Sequence, residues 1–258
     1  MRYRILDRKK EIMANLKIAA TVLFSATLFL NSVVFAQQDV QEIIKKAVEA
    51  QGGKEALTKA QQFKRTSSGT IFFGQAQNFT DELIAALPGK IKLDIKLDTK
   101  ENLLMCLEGE AGWSIASGFP IDLSKEKIVE LKEESYFLQV TNLVSLLEPS
   151  STLTSLGESK LMNKSVMGVK VSLAGGSEVS LYFDKETNLL TKAERKAKQA
   201  GVEILKGVQY SDYQTFGAVK FATKETHFLG GNKFVENKNI SYTILEKVDA
   251  SVFKKPGK

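Results

Sequence analysis

One cysteine and one histidine occur in the whole chain of 258 residues. A single thiol, Cys106, excludes an intramolecular disulfide and any cysteine-built metal cluster. A single imidazole, His227, excludes a His-rich metal site and makes any Ser–His or Cys–His catalytic pairing depend on that residue. No Gly-x-Ser-x-Gly nucleophile motif is present. The glycine pairs Gly52-Gly53, Gly175-Gly176 and Gly230-Gly231 lack both the Lys-Ser/Thr of a P-loop and the spacing of a dinucleotide fingerprint. Each falls at a helix end or between two strands, where turn chemistry accounts for it. Linkers rich in Pro or Ser and fixed-period repeats are also missing. The expectation is therefore a single unit with no catalytic residue, no metal and no cofactor.

An excess of one charge is nearly absent too. The chain carries +6 overall, but residues 1–36 hold six Lys/Arg against two acids, a net +4. The remaining 30 basic and 28 acidic residues leave +2, which gives no electrostatic argument for nucleic acid. The N-terminal charges have another reading. Arg2, Arg4, Arg8, Lys9 and Lys10 precede an uncharged stretch from Ile18 to Leu30, and Val34-Phe35-Ala36 places small residues before a cleavage point. These are the three parts of a secretory signal, with cleavage expected after Ala36. The 13-residue run from Ile18 is short of the ~20 residues that span a bilayer, although adding residues 31–36 brings an uncleaved anchor within reach. Translation from Met13 would still leave a complete signal. The expected location is the periplasm, and the residue after the cleavage point is Gln37 rather than the Cys of a lipoprotein anchor.

Residues 37–258 read as one domain. Asp39 and Glu42 form a capping box, and Val40, Ile43, Ile44, Ala47 and Val48 line one face of a helix ending at Gly52-Gly53. From about Phe63 the period changes to two. Lys90–Asp98 alternates charged residues with Ile91, Leu93, Ile95 and Leu97, the pattern of a strand buried on one face. Phe63–Phe73, Phe79–Leu87 and Leu103–Glu108 are predicted as its neighbours, separated by Gly74, Pro88-Gly89 and the Gly109–Gly112 turn. A second helix is predicted from Ser124 to Leu147, stopped by Pro149. Strands follow at Val169–Leu173, Val179–Phe183, Leu189–Lys198, Val202–Tyr213, Val219–Leu229 and Phe234–Leu245. The fold class is mainly β with helices inserted in two places, an α+β arrangement around a large antiparallel sheet.

The charged groups offer little chemistry by their spacing. Asp81-Glu82 and Glu133-Glu134 are adjacent in sequence, so their side chains diverge on a strand or a helix, and both pairs are expected on a solvated surface. Glu225 shares a strand face with His227, which makes a Glu–His couple conceivable. Cys106, between Met105 and Leu107, reads as a small buried hydrophobe. The run Lys192–Lys198 reads as a solvated hairpin end. Without interleaved aromatics, its functional alternative is transient membrane contact rather than nucleic acid.

The layout also resembles a known superfamily. The residues that carry the likeness are Gln51-Gly52-Gly53-Lys54-Glu55-Ala56-Leu57, Gly109–Trp113, Leu181–Leu190, Tyr210–Gln214, Gly217–Phe221 and Val252–Pro256. Together they make residues 39–256 similar to the outer-membrane lipoprotein-sorting (LolA/LolB-like) superfamily of Gram-negative envelopes, closest to its uncharacterised periplasmic members. The resemblance implies a curved antiparallel sheet forming an incomplete barrel, with helices packed in its open side and an apolar concave face that holds acyl chains. It implies a monomeric binding or carrier protein for a lipid or an acylated lipoprotein, not an enzyme. The residues expected to line such a cavity are Ile91, Leu93, Ile95, Leu97, Trp113, Val179, Leu181 and Phe183. Each position equally fits plain sheet–helix core. The second functional class is then an envelope scaffold or interaction protein whose interior is filled by its own side chains.

Overall fold

The computed structural model describes residues 40–99, 101–116, 118–173, 176–199 and 202–257. The expected signal segment, the Asp39 cap and parts of the Gly175-Gly176 and Gln199–Gly201 turns lie outside the described residues.

Helix α1 covers residues 40–51 and buries Val40, Ile44, Ala47 and Val48, the apolar stripe at helical spacing. Its end needs glycine. Gly53, at φ +86°, donates its N–H to Val48 O at 2.9 Å. Gly52, at φ +134°, lies where any Cβ would come within 2.3 Å of Ala218 O. The short helix α2 (Lys54–Lys59) follows and buries Leu57.

The chain then builds outward, strand by strand: β1 (Gln62–Phe73), β2 (Gln75–Ala86), β3 (Lys90–Leu97), β4 (Asn102–Glu108), β5 (Ala111–Ala116) and β6 (Phe119–Asp122). Helix α3 (Lys125–Thr141) and a 3₁₀ turn (Val144–Leu147) carry it to the far edge. From there β7 (Thr152–Leu161), β8 (Lys164–Ser172), β9 (Val179–Asp184), β10 (Leu190–Gln199), β11 (Val202–Phe216), β12 (Val219–Leu229) and β13 (Asn232–Ile244) return until β13 pairs with β1. Among the described residues the result is one 13-stranded antiparallel sheet in the order β6-β5-β4-β3-β2-β1-β13-β12-β11-β10-β9-β8-β7. It curves but does not close, since β6 and β7 are its two edges. They are also consecutive in the chain, so the connection between them has to cross one face of the sheet. That connection is α3, and the face it crosses is the concave one.

Two differences from the sequence reading have local causes. The predicted helix Ser124–Leu147 ends at Thr141. Leu143 adopts a left-handed backbone (φ +70°), and the Asn142 amide reaches Leu57 O and Ala60 O at 3.4 Å, which ties the break to α2. The Gly109–Gly112 turn is confined to its first half, and β5 starts at Ala111.

Three apolar clusters hold the layers together. The largest packs α1 and the 3₁₀ turn on β7–β11, with Val179, Leu181, Phe183, Ile44, Leu143 and Leu146 all buried. A second lies under α3 on β1–β4 and includes Phe63, Leu83, Ile91, Leu107 and Leu131. The third is on the convex face, where Cys106 and Trp113 meet Val248 and Phe253 from the C-terminal segment.

Candidate functional site

Alternation along β1–β4 and β11–β13 directs one residue in two toward α3. The helix does not fill the space it covers. A cavity of about 260 Å³ lies between them, floored by Phe63, Leu83, Ile91, Leu93 and Tyr242 and roofed by Leu131, Phe137 and Leu138. A second lobe of about 500 Å³ continues toward β4 and β11–β13, past Met105, Phe228 and Val235. The lobes share Leu93, Leu131, Glu134, Phe137, Val208 and His227 as common wall. Most of this lining is apolar, and a few polar groups converge on it.

Those groups form a buried network across β2, β1, β13 and β12. Arg65 donates from Nη2 to Asp81 Oδ2 at 2.8 Å and from Nη1 to Glu225 Oε2 at 3.3 Å. Ser67 donates its hydroxyl to the other Asp81 oxygen. Glu225 Oε2 also meets His227 Nε2 at 3.2 Å and accepts from Asn237 Nδ2 at 3.4 Å. Register explains the convergence. Ser67 pairs with Asp81, Arg65 with Tyr242, and Glu225 with Asn237, so all point to the concave side on neighbouring strands. Burial works against the Glu225 carboxylate, but the Arg65 charge and the hydrogen bonds from His227 and Asn237 prevail and hold its carboxyl below the ordinary value. Burial also works against the Arg65 charge, and the Glu225 and Asp81 carboxylates outweigh it, so the guanidinium stays charged. Burial, and after it the Glu225 charge, pushes the Tyr210 and Tyr242 hydroxyls upward, keeping both protonated. The Tyr242 ring stacks on Phe221 with centroids 4.1 Å apart, which fixes this wall.

A second set of charges fastens α3 to the sheet. Arg195 of β10 donates to Glu133 at 3.0 Å and Glu134 at 2.6 Å, and Lys206 of β11 reaches Glu134 at 3.1 Å. The Arg195 guanidinium also lies 5.3 Å from the Phe137 ring. Arg195 and Asp81 correct two expectations. The run Lys192–Lys198 is not simply a solvated hairpin end, because the Arg195 side chain is only 2% exposed. Its inner-face neighbours Ala193 and Ala197 are small and leave room for it. Asp81 is buried, while Glu82 points outward and meets Lys64 at 3.0 Å. Glu133 and Glu134 are both engaged by one guanidinium rather than simply solvated.

The residues expected to line a cavity divide into four groups. Ile91 and Leu93 stand in its wall. Ile95 and Leu97 continue the same alternation along β3, beyond either lobe. Val179, Leu181 and Phe183 are closed inside the largest core cluster and line neither lobe. Trp113 requires a correction. It pairs with Cys106 on the convex face, where its Nε1 donates to Phe253 O at 2.7 Å. Parity is the reason: Ile91 pairs with Leu107, so Cys106 and Trp113 must point the other way. Cys106 is fully buried there, its Sγ 3.3 Å from the same Phe253 carbonyl, and burial pushes its thiol up to about 12. Arg65, Asn142, Glu225 and Asn237 complete the site without having been singled out as lining. Among the described residues no three His, Cys, Asp or Glu side chains converge as metal ligands. No helix of the described residues is long and apolar enough to cross a membrane.

This open, curved antiparallel sheet with its helix over the concave face is a fold shared with solved structures. The chain matches a LolA superfamily protein from Nitrosomonas europaea with a TM-score of 0.53 at 13% identity, over 84% of this chain and 97% of that one. It matches a domain from Vibrio parahaemolyticus, proposed to be an outer membrane lipoprotein-sorting protein, with a TM-score of 0.52 at 9% identity, over 84% and 96% of the two chains. A DUF1329 family protein from Desulfovibrio piger gives a TM-score of 0.50 at 12% identity, over 83% and 97%. At these identities the likeness is one of fold. No family profile matches the sequence, and no curated protein matches it.

Proposed function

We propose that the chain is an exported periplasmic binding or carrier protein that holds a hydrophobic ligand, a lipid or the acyl part of a lipoprotein, between the concave sheet face and α3. The observation that carries this reading is the two-lobed cavity of about 260 and 500 Å³ with a mostly apolar lining. Ligand sites run to about 300–1,000 Å³, lined by apolar side chains with a few placed polar groups. Acyl chains enter such a space because it removes apolar surface from water, and transfer needs no nucleophile. The signal pattern of residues 1–36 supports export. The protein works as a monomer and touches the membrane transiently when it loads or unloads.

Native mass spectrometry of the mature protein, before and after organic extraction, tests the proposal. A copurifying lipid, or uptake of an acylated probe by the extracted protein, is the expected result. A bare protein that takes up no probe removes the carrier reading and leaves an envelope scaffold. One observation favours that second class: the Arg195–Glu133/Glu134 contacts fasten α3 over the cavity.

A further inference from the structure

The polar end of the cavity is not neutral, and its imbalance has a sign. Arg65 is its central cation, and two carboxylates, Asp81 and Glu225, share that one guanidinium. The remaining charges around the lobes balance: Arg195 and Lys206 face Glu133 and Glu134, and Lys127 is paired with Glu130 at 2.5 Å. Counted over Arg65, Asp81 and Glu225, the network holds two carboxylates to one guanidinium. Its location is specific. Arg65, His227 and Asn237 all meet Glu225 at Oε2, and the Glu225 side chain lines the first lobe.

We infer that the cavity selects an amphiphile whose head donates hydrogen bonds and carries no negative charge, an amine before an alcohol, and rejects a carboxylate head. The inference rests on the carrier reading above and names the ligand class of that site. The chain packs against Ile91, Leu93, Leu131 and Phe137, while the head meets the Glu225 carboxylate. A carboxylate head would place like charge against Glu225 in a space poor in water, the juxtaposition that most strongly rejects wrong partners.

Laurylamine, lauryl alcohol and lauric acid share one chain and differ in the head. Their binding to the delipidated mature protein, measured by calorimetry below micellar concentrations at about pH 8, where an imidazole is neutral, ranks the heads directly. The amine is expected to bind at least about tenfold more tightly than the acid, with the alcohol between them. Glu225→Gln, which keeps the shape and removes the charge, is expected to shrink the amine-to-acid ratio by about tenfold. Binding of the alcohol together with an acid as tight as the amine overturns the head selectivity and leaves the carrier reading intact. No binding of any probe overturns both. An unchanged ratio in a folded Glu225→Gln protein removes Glu225 as the selecting group, and the ranking in the native protein needs no variant to be read.

Discussion

One concave surface serves two regions that differ in how they are filled. Over β7–β10, the side chains of Val179, Leu181 and Phe183 are sealed by α1, the 3₁₀ turn and the end of α3. Over β1–β3 and β11–β13, α3 stands off the sheet, and Ile91 and Leu93 face open space. Both strands alternate cleanly, so patterning does not separate them. What differs is the company. In the dry region Val179, Leu181 and Phe183 meet apolar partners, which can approach until they touch. The other carries Arg65, Asp81 and Glu225 on the same face, and charged groups committed to each other cannot be packed away by aliphatic neighbours. A buried ionic network therefore marks where the interior stays open.

Removing its centre is the most damaging way to break the contrast. Arg65→Leu leaves two carboxylates buried without their cation, and losing one partner of a buried pair costs about 3–5 kcal/mol. Urea unfolding should show that loss, and Glu225→Gln in the Arg65→Leu background should recover part of it. A free energy unchanged by Arg65→Leu would mean that the network contributes nothing to the fold. Next in size is a matched pair of truncations. Leu181→Ala opens a void in the dry region and is expected to cost about 2–5 kcal/mol. Leu93→Ala widens a space already present and should cost only about 1–2 kcal/mol, the transfer term of a partly buried side chain. Equal losses at the two sites would show that the cavity region is packed as tightly as the core.

The strands of the open region were the more legible, since β7 of the dry region was not predicted and β8 was read only from Val169. Periodicity located β3, β9 and α1, and from it followed one antiparallel sheet with helices in two places. The helix break at Leu143 left no local signal, because its cause is the reach of Asn142 to α2, a contact between residues far apart in sequence. Which alternating stripe borders a cavity was equally hidden, since that depends on what the opposite layer supplies. Trp113 was expected to line the cavity, although its parity with Cys106 points outward. The network did leave a trace. Arg65 and Asp81 stand at the same parity as Phe63 and Leu83, so each is a charge at a position where its strand is otherwise apolar. Neighbouring strands with opposite charges at inward positions are a readable pattern once the face is known. Glu225 and His227 were readable as a couple sharing a strand face, but Arg65, which joins them to Asp81, belongs to a strand 160 residues away.

The smallest expected effect concerns acid. The Glu225 carboxyl lies below its ordinary value in the folded protein, so its contribution to stability is complete above the unfolded carboxylate value, about 4.3 for Glu. It is lost as the pH falls through the lower folded value, because protonation then removes the attraction to Arg65. Each tenfold of difference in proton affinity between the two states is worth about 1.4 kcal/mol. Other carboxyls held low, Glu134 and Asp184 among them, add to the acid sensitivity of the native chain. Comparison with Glu225→Gln separates its share. Unfolding free energies at neutral pH and at roughly pH 3 should fall further for the native protein than for the variant. Identical slopes would place Glu225 in an environment no different from water. The open region would then owe its space to the shape of α3 rather than to a charge it cannot bury.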